Sequence, residues 1–564
     1  MQAYEQTITR HDRGLKRFLE IIPAFLVWNA LLFPVVFSFT APAIVAYFII
    51  VFDLYWLLKS FYMSRNLLHS YARMKVERSF DWRQKLKETQ DIEAVIDKKK
   101  KELFLIRRKI YTIFPLSIIF RFFSFAKRDI LYKKYLKEFI EENKSIKNKK
   151  VLDYKNIYHL VILATFQEDI FILRDSINAV LKSNFSSKKI FFVLAGEERD
   201  KERFDRYAKI LEQEFKDKFG LFLTTVHPKD IPGEVKGKGG NITYAGRKAK
   251  GIIDEKKIPY QNIIVTTLDA DNIVHPQYFA SLTYRYVINP ERKYKSFQPV
   301  PIFNNNIWDV PAIIRIVAMS NGFWQLMESS RPERLRNFSS HAQSFEALVD
   351  TDFWSTESIV EDGHQFWRTF FTYDGKHEVV PMFLPIFQDA VQEKNYVKTL
   401  KAQYIQLRRW AWGASDFPYV VINAFKNKKI PFYKKFLATF RVTEGYFSWA
   451  TAPLFITVAA WLPGLINPSF KYSVVAFNLP IITSWILTIA TVGIIISILI
   501  SMAMLPPRPK HYNRVRHSFM AIQWILLPIV TIFFSSIPAI DAQTRLAIGK
   551  RLDWKVTKKV RSNK

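Results

Sequence analysis

Two aspartates near the middle of the chain have the spacing of a divalent-cation site. Asp269 and Asp271 are separated by one residue and directly follow the apolar run at 262–268. Proteins hold Mg²⁺ or Mn²⁺ with oxygen ligands, commonly one or two carboxylates together with phosphate oxygens of a substrate. Aspartate also caps helices, so the triplet by itself fits either a metal site or a helix end.

Two further acids follow apolar runs in the same way. Glu168 comes after the run at 159–166, and Glu197 comes after the run at 189–195. Because stretches with helical spacing separate these runs, the pattern predicts a parallel α/β sheet covered on both faces. Ligands of such sheets bind at the carboxyl ends of the strands. Glu168, Glu197 and Asp269 would therefore meet at one edge.

A glycine-rich segment lies between the second and third of these runs. Four of the 17 glycines fall within residues 233–240, which include Lys238 and precede Asn241. Glycine lets a backbone approach a phosphate closely, and the lysine adds positive charge. The segment does not match a P-loop, because no Ser or Thr follows the lysine. A phosphate-binding loop and a flexible loop both fit the pattern.

Two downstream motifs add a base and a phosphate ligand. The adjacent acids Glu361 and Asp362 can supply a general base, with a helix N-cap as the alternative. Gln406, Arg409 and Trp410 form the pattern Gln-x-x-Arg-Trp. Arginine suits bidentate contacts with phosphate, and tryptophan offers a flat face for stacking on a sugar. An interfacial helix with basic and aromatic residues would give the same pattern.

The chain that must position these residues is both basic and apolar. Its 564 residues include 83 Lys and Arg against 51 Asp and Glu, a formal charge of +32, and 49% are hydrophobic. Since the chain has no cysteine, disulfides, cysteine-ligated metals and a catalytic thiol are excluded. Two classes remain, a large nucleic-acid binder and a membrane protein with basic residues on its cytoplasmic side.

The placement of the apolar residues favours the membrane class. Charge-free runs occupy 21–41, 42–52, 446–466, 473–505 and 518–540. A helix needs roughly 20 apolar residues to cross a bilayer, and the second run reaches that length if it tolerates Asp53. We therefore predict a multi-pass integral protein of the plasma (inner) membrane that does not bind nucleic acid.

The same runs predict a division of the chain into five parts. A transmembrane pair at 1–59 precedes a basic helical or interfacial insert at 60–150. A cytoplasmic domain follows at 151–425, then an interfacial helix with a C-terminal transmembrane block at 426–545, and a basic tail at 546–564.

The side of the membrane on which the tail lies stays open. The positive-inside rule places the central domain in the cytoplasm, and three later spans would leave the basic tail outside. A re-entrant segment at 518–540, an inserting segment near 430–445, or a tail that breaks the rule would each account for this conflict.

Taken in order, these motifs resemble those of the membrane-embedded family 2 glycosyltransferases of the cellulose, chitin and hyaluronan synthase type. The resemblance covers about 155–415 by motif, and the membrane blocks match in layout. It implies an α/β fold, a nucleotide-sugar-binding, GT-A-like domain with a mixed sheet between two α-helical transmembrane blocks. The chain departs from the family at two points. Phe166-Gln167-Glu168 stands where the family has Tyr-Asn-Glu, and Val360 replaces a threonine.

The resemblance implies a role for each candidate residue. Asp362 is the general base with Glu361 beside it, and Asp271 and Asp269 hold Mg²⁺ or Mn²⁺. His341 and Trp410 contact the acceptor. The residues that contact the donor nucleotide sugar are Glu168, Glu197, Lys238, Asn241, Asp269, Gln406 and Arg409.

The implied reaction is inverting transfer of a sugar from a nucleotide diphosphate sugar, preferably linked to UDP. The acceptor is a growing polysaccharide exported through the protein's own spans, so that its partners are a glycan or glycolipid and the lipid bilayer. A non-processive transferase acting on a lipid-linked acceptor is a close alternative, and a non-enzymatic membrane scaffold is a more distant one. The nearly charge-free spans argue against a transporter.

Overall fold

The computed structural model describes residues 10–91, 93, 96–104, 137, 140, 151–510 and 512–552. Most of the predicted basic insert, including its short apolar segment at 110–120, lies outside the described residues, as does the tail from 553 onward.

Five helical segments are long and apolar enough to cross a membrane, and they correspond to the five predicted runs. They are Arg13–Thr40, Pro42–Arg78, Phe432–Ile466, Val474–Met504 and His517–Ala547. The second segment continues well beyond the boundary predicted at 59, and its last turns pack against the central α/β domain.

In the part of the chain before residue 92, which the structure describes from residue 10, three helices are defined, and the second begins with a proline, which lacks the amide hydrogen that this position does not need. They are α1 (Arg10–Thr40), α2 (Pro42–Arg78) and α3 (Trp82–Glu88). The C-terminal membrane part contains α13 (Phe432–Val458), α14 (Leu462–Ile466), α15 (Val474–Met504), α16 (Arg514–Ile522), α17 (Leu527–Thr531) and α18 (Ile537–Ala547).

Between these parts lies an α/β domain built on one eight-stranded sheet. Its strands are β1 (Tyr158–Ala164), β2 (Ile190–Glu197), β3 (Leu221–His227), β4 (Ile263–Asp269), β5 (Ile273–Val274), β6 (Lys295–Ile302), β7 (Ala342–Ser344) and β8 (Glu378–Phe387). Their order across the sheet is β3-β2-β1-β4-β7-β6-β8-β5. The first four are parallel, and β7 pairs antiparallel with both β4 and β6. The sheet is therefore mixed.

Helices cover the sheet, and further helices lead back to the membrane. They are α4 (Ile170–Leu181), α5 (Lys201–Phe215), α6 (Lys238–Glu255), α7 (Tyr278–Ile288), α8 (Ala312–Glu328), α9 (Phe345–Asp350), α10 (Glu361–Thr372), α11 (Tyr396–Ala411) and α12 (Asp416–Lys426). Short 3₁₀ turns lie at Tyr154–Asn156, Ser187–Lys189, Glu198–Asp200, Tyr260–Asn262, Arg292–Tyr294, Trp412–Ser415, Ala459–Trp461 and Phe470–Tyr472.

The strands predicted from apolar runs are confirmed as β1, β2 and β4. Each is buried along nearly its whole length, as expected for strands covered by helices on both faces. Their register pairs Ala164 at the end of β1 with Ala195 of β2 and with Asp269 of β4. The residues that follow these strands therefore meet at one edge.

A buried glutamate joins α2 to the sheet. Glu77 is fully buried, and its carboxylate accepts from Arg73 at 3.1 Å, from Arg285 on α7 at 2.5 Å and from the backbone N–H of Phe383 on β8 at 3.2 Å. A buried charge is stable only while it is paired. These contacts therefore fix the end of a membrane helix against the α/β domain.

Both ends of the last apolar segment lie on the side of the α/β domain. At its start, Gln523 accepts a hydrogen bond from Arg315 on α8 at 2.9 Å. At its end, the Leu546 carbonyl accepts from Arg17 at 2.7 Å. Arg17 precedes Leu19, which packs in the same core cluster as α10 and α12 of the α/β domain.

The segment between these two contacts is broken rather than straight. A 3₁₀ turn at Gln523–Leu526 and a π turn at Ile532–Ser536 interrupt it, and Phe534 leaves the helical region at φ −117° and ψ 16°. A π turn of this kind is an identifiable cause of a bend. We therefore predict that the segment enters the bilayer and returns, so that Lys550 lies on the same side as the α/β domain.

Single cysteines test this topology without background, because the chain has none of its own. We expect Lys550→Cys and Lys256→Cys to react with a membrane-impermeant maleimide from the same side of a sealed vesicle. Lys471→Cys, in the loop before α15, should react only from the other side. Labelling of Lys550→Cys together with Lys471→Cys would show instead that the last segment crosses the membrane.

Candidate active site

A buried lysine gathers the acidic residues at the carboxyl edge of the sheet. Lys238 is the first residue of α6, and its Nζ lies 2.6 Å from Oδ1 of Asp269 at the end of β4. Its side chain is only 13% exposed. Burial lowers the pKa of Lys238, but the carboxylates of Asp269, Glu361 and Asp362 outweigh this effect and hold the pKa above its ordinary value. The lysine is therefore a fixed positive charge.

The glycine-rich segment positions this lysine through close packing. A Cβ atom at Gly239 would fall 2.3 Å from the carbonyl oxygen of Ser355, and one at Gly240 would fall 2.9 Å from Glu234 Oε2. Asn241 Nδ2 donates to the Ala195 carbonyl on β2 at 2.9 Å. The segment from Lys238 onward is thus the first turn of a helix, anchored to the sheet.

Ser339 connects two of the acids and was not predicted from the sequence. Its hydroxyl donates to Asp269 Oδ2 at 2.6 Å, and its backbone N–H donates to Asp362 Oδ2 at 2.5 Å. Gln388, just after β8, donates to the same hydroxyl at 2.8 Å. Ser339 has φ +50°, a conformation that non-glycine residues seldom adopt and that is concentrated at functional sites.

The predicted general base lies at the start of α10. Glu361 and Asp362 occupy the first turn, where the positive end of the helix dipole favours a carboxylate. Asp362 Oδ1 also accepts from the Gly363 N–H at 2.8 Å. Burial and the neighbouring Asp362 raise the pKa of Glu361 to about 7, and burial raises the pKa of Asp362 as well.

The two aspartates of the predicted metal site differ in their surroundings. Asp269 remains 32% exposed at its side chain, whereas Asp271 is 1% exposed, and its Oδ2 accepts from the Asp389 N–H at 2.6 Å. Among the described residues, no cluster of three or more His, Cys, Asp or Glu side chains is placed to hold a metal on protein ligands alone. The donor set fits a cation that completes its shell with phosphate oxygens.

The remaining edge of the sheet carries the predicted nucleotide contacts. Glu168 Oε2 accepts from the Phe166 N–H at 2.7 Å and from Thr165 Oγ1 at 2.8 Å. Glu197, at the end of β2, is 4% exposed and accepts from Arg199 Nε at 2.7 Å. Burial raises the pKa of Glu197, and the Arg199 guanidinium opposes this shift.

The Gln-x-x-Arg-Trp motif lies on α11, beside the acidic cluster. Trp410 makes an edge contact with Phe338 at 5.5 Å between ring centroids. Arg409 is close enough to lower the pKa of Glu361, and its buried Nε has no hydrogen-bond partner among the described residues. Gln406 accepts from Gln403 on the same helix at 3.1 Å.

His341 lies behind the site rather than at its surface. It is 2% exposed, its Nε2 lies 3.4 Å from Trp354 Nε1, and its Nδ1 has no hydrogen-bond partner among the described residues. Burial lowers the pKa of His341 to about 3, so it is neutral. Its contact with an acceptor stays a prediction.

A histidine–aspartate pair near the proposed base was not predicted from the sequence. His364 Nδ1, one turn after Glu361, lies 2.7 Å from Asp416 Oδ1 on α12. Tyr446 of the membrane helix α13 packs so closely beside α12 that a Cβ at Gly413 would fall 1.9 Å from its hydroxyl. These residues lie far apart along the chain, and no spacing signals that they meet.

Comparisons with solved structures find distant likenesses. One is the mannosyltransferase PcManGT from Pyrobaculum calidifontis in complex with GDP-Man and Mn²⁺, at 12% identity and a TM-score of 0.38, covering 72% of this chain and 92% of that chain. Another is S. aureus TarS 1–349 in complex with UDP-GlcNAc, at 12% identity and a TM-score of 0.33, covering 70% and 92%.

No family model matches the chain, and no curated protein matches its sequence. Likenesses with TM-scores under 0.5 do not assign a reaction.

The raised pKa of Glu361 predicts a pH-dependent stability. In the pH range between the ordinary pKa of 4.5 and about 7, the native protein keeps a proton that the unfolded chain releases. The stability from this group is therefore full below the ordinary pKa and is lost as the pH rises through about 7. Glu361→Gln cannot ionise, so its melting temperature should exceed that of the wild type more at about pH 8 than at about pH 5.

The exposed Glu357 on the preceding loop provides the control. Glu357→Gln should follow the wild-type melting curve at both pH values. Equal pH dependence of Glu361→Gln and the wild type would contradict a raised pKa at Glu361.

Proposed function

We propose that the protein is an integral membrane glycosyltransferase that moves a sugar from a nucleotide diphosphate sugar to a glycan or glycolipid. The observation that carries this proposal is the continuous chain of contacts from Lys238 through Asp269 and Ser339 to Asp362. It brings a fixed cation, the proposed metal ligand Asp269 and the proposed base Asp362 together at the edge where α/β domains bind ligands.

Asp362 is the proposed general base. The N–H groups of Ser339 and Gly363 hold its carboxylate in one orientation, and burial raises its pKa toward that of an acceptor hydroxyl. A base with a raised pKa takes a proton more readily at neutral pH. With one base on the acceptor side and attack in line with the departing diphosphate, the anomeric configuration inverts.

The donor diphosphate is proposed to lie between Lys238 and Arg409. The buried Nε of Arg409 has no hydrogen-bond partner among the described residues, and such a donor is suited to a phosphate oxygen. We propose that Glu168, Glu197 and Asn241 act on the nucleoside; Glu197 and Asn241 are almost fully buried at this edge. We propose UDP as the nucleotide, and GDP is the alternative that a donor screen must include.

A divalent cation fits the proposal. Asp271 and Asp269 would hold Mg²⁺ or Mn²⁺, and the cation would stabilise the negative charge that develops on the leaving nucleoside diphosphate. Lys238 already pairs with Asp269, so donor binding must redistribute this contact.

The proposed acceptor side faces the membrane. We propose that Trp410 of α11 contacts the acceptor where the α/β domain meets the spans, since Tyr404 and Arg408 of the same helix bind Asp541 of α18 at 3.0 and 2.9 Å. We propose that a growing glycan passes from here into the spans, with the α/β domain in the cytoplasm. A lipid-linked acceptor without export is the alternative, and a non-enzymatic scaffold is the outcome if no donor turns over.

The reaction is tested by supplying purified protein with radiolabelled nucleotide sugars and Mg²⁺ or Mn²⁺. We expect one donor to be consumed, and Asp362→Asn to lower the rate by about 10²–10⁴-fold, the usual contribution of a general base. Asp352→Asn is the control, since Asp352 pairs with Arg247 at the surface. Failure to turn over any donor, or equal rates for wild type and Asp362→Asn, would overturn the proposal.

The metal assignment makes a separate prediction. Asp271→Asn should abolish the increase in donor affinity that Mn²⁺ produces, because the amide is a weaker ligand for a hard cation. The measurement is nucleotide titration with and without Mn²⁺, using Asp352→Asn as the control. A Mn²⁺ effect that survives in Asp271→Asn would remove this aspartate from the metal site.

A further inference from the structure

A group of basic side chains lies where the α/β domain meets the membrane helices. We call it the boundary cluster, and it consists of Lys59, Arg331, Arg334, Arg336 and Arg441. Lys59 belongs to α2, Arg441 belongs to α13, and the other three lie on the loop after α8. None of them takes part in the proposed reaction.

Carboxylates neutralise only part of this cluster. Glu444 of α13 is shared between Lys59 and Arg334, each at 2.8 Å. Glu328, at the end of α8, pairs with Arg331. Three cations therefore share two acids.

The other two arginines donate hydrogen bonds to backbone oxygens, while the carboxylates of Glu328 and Glu333 act on them from farther away. Arg336 donates to the Leu335 carbonyl at 2.8 Å, and Arg441 donates to the Glu333 carbonyl at 2.5 Å. Neither forms an ion pair among the described residues. Arg331 is 5% exposed, and its Nε has no hydrogen-bond partner in that part of the chain. Hydrogen-bond donors and positive charge thus remain available within the cluster.

Arg336 is packed against aromatic rings and lies near a second arginine. Its guanidinium lies over the ring of Phe366 at 4.0 Å and over that of Trp367 at 4.9 Å. Burial, together with the nearby Arg441, lowers the pKa of Arg336 to about 9. An anion bound next to such an arginine stabilises its charged form.

The depth of the cluster points to lipid headgroups. Lys59 directly follows the apolar part of α2, and the exposed rings of Tyr55 and Tyr62 flank it on the same helix. Trp324 of α8 is also exposed, and Arg331 lies over Tyr62 at 5.6 Å. Exposed tyrosine and tryptophan are typical of the membrane–water interface.

We propose that the boundary cluster binds the phosphate group of an anionic lipid in the leaflet that faces the α/β domain. A guanidinium group can bind two phosphate oxygens at once, and basic pockets between membrane helices recognise anionic headgroups. The loop that carries Arg331, Arg334 and Arg336 continues to Ser339, whose N–H holds Asp362. The lipid phosphate would therefore stabilise the loop that orients the proposed base.

Lipid retention tests the proposal independently of any enzymatic activity. The full chain is reconstituted with phosphatidylcholine containing about 20% phosphatidylglycerol, an anionic lipid, and bound lipid is then counted by native mass spectrometry. We expect Arg336→Gln/Arg441→Gln to retain phosphatidylglycerol roughly 30-fold less than the wild type, since each cation near the headgroups contributes about 1 kcal/mol and a loss of about 2 kcal/mol corresponds to this ratio. Lys428→Gln/Lys435→Gln is the matched control. It removes two positive charges at and just before the start of α13, the helix that carries Arg441, but outside the cluster, and this variant should retain lipid normally.

The melting temperature provides a second test, which remains informative if the double variant folds poorly and which distinguishes a lipid phosphate from inorganic phosphate. Phosphatidylglycerol should raise the melting temperature of the wild type more than that of Arg336→Gln or Arg441→Gln alone, and inorganic phosphate at the same phosphate concentration should have little effect. Equal lipid retention by the double variant and the wild type would overturn the proposal. Equal stabilisation by inorganic phosphate would overturn the assignment to a lipid.

Discussion

The site depends on one constraint, which is that several carboxylates are held close together inside the protein. Burial raises the cost of ionising Glu361 and Asp362, and the repulsion between Glu361 and Asp362 and between Asp362 and Asp269 adds to it. The ammonium group of Lys238 offsets this cost and is itself kept charged by the acids. A buried charge that loses its partner is strongly destabilising, so the four groups must be considered as one unit.

The surrounding architecture keeps this unit together. The strand β4 ends at Asp269, α6 begins at Lys238, and α10 begins next to Asp362, so that three element ends converge on one point. Ser339 closes the gap between them from a strained backbone conformation. Rigid elements carry every charged member of the unit, which is what pre-organised catalysis requires.

Paired charges also join the α/β domain to the apolar helices. Glu77 ties α2 to the sheet through Arg285 and a backbone N–H of β8, while Asp541 ties α18 to the Gln-x-x-Arg-Trp helix through Arg408. The α/β domain is thus held to the membrane helices at two separate places. The boundary cluster forms a third set of contacts between the α/β domain and these helices, through Glu444.

The sequence by itself determined the apolar spans, the strands β1, β2 and β4, and the acids that follow those strands, because all of these are properties of neighbouring residues and their spacing. It also indicated Lys238, Asp362 and Arg409 as candidate residues. Only the tertiary structure decided that Ser339 joins Asp269 to Asp362, that His364 pairs with Asp416, and that both ends of the last apolar segment lie on the side of the α/β domain. These features depend on contacts between residues far apart in the chain, and no local pattern records such contacts.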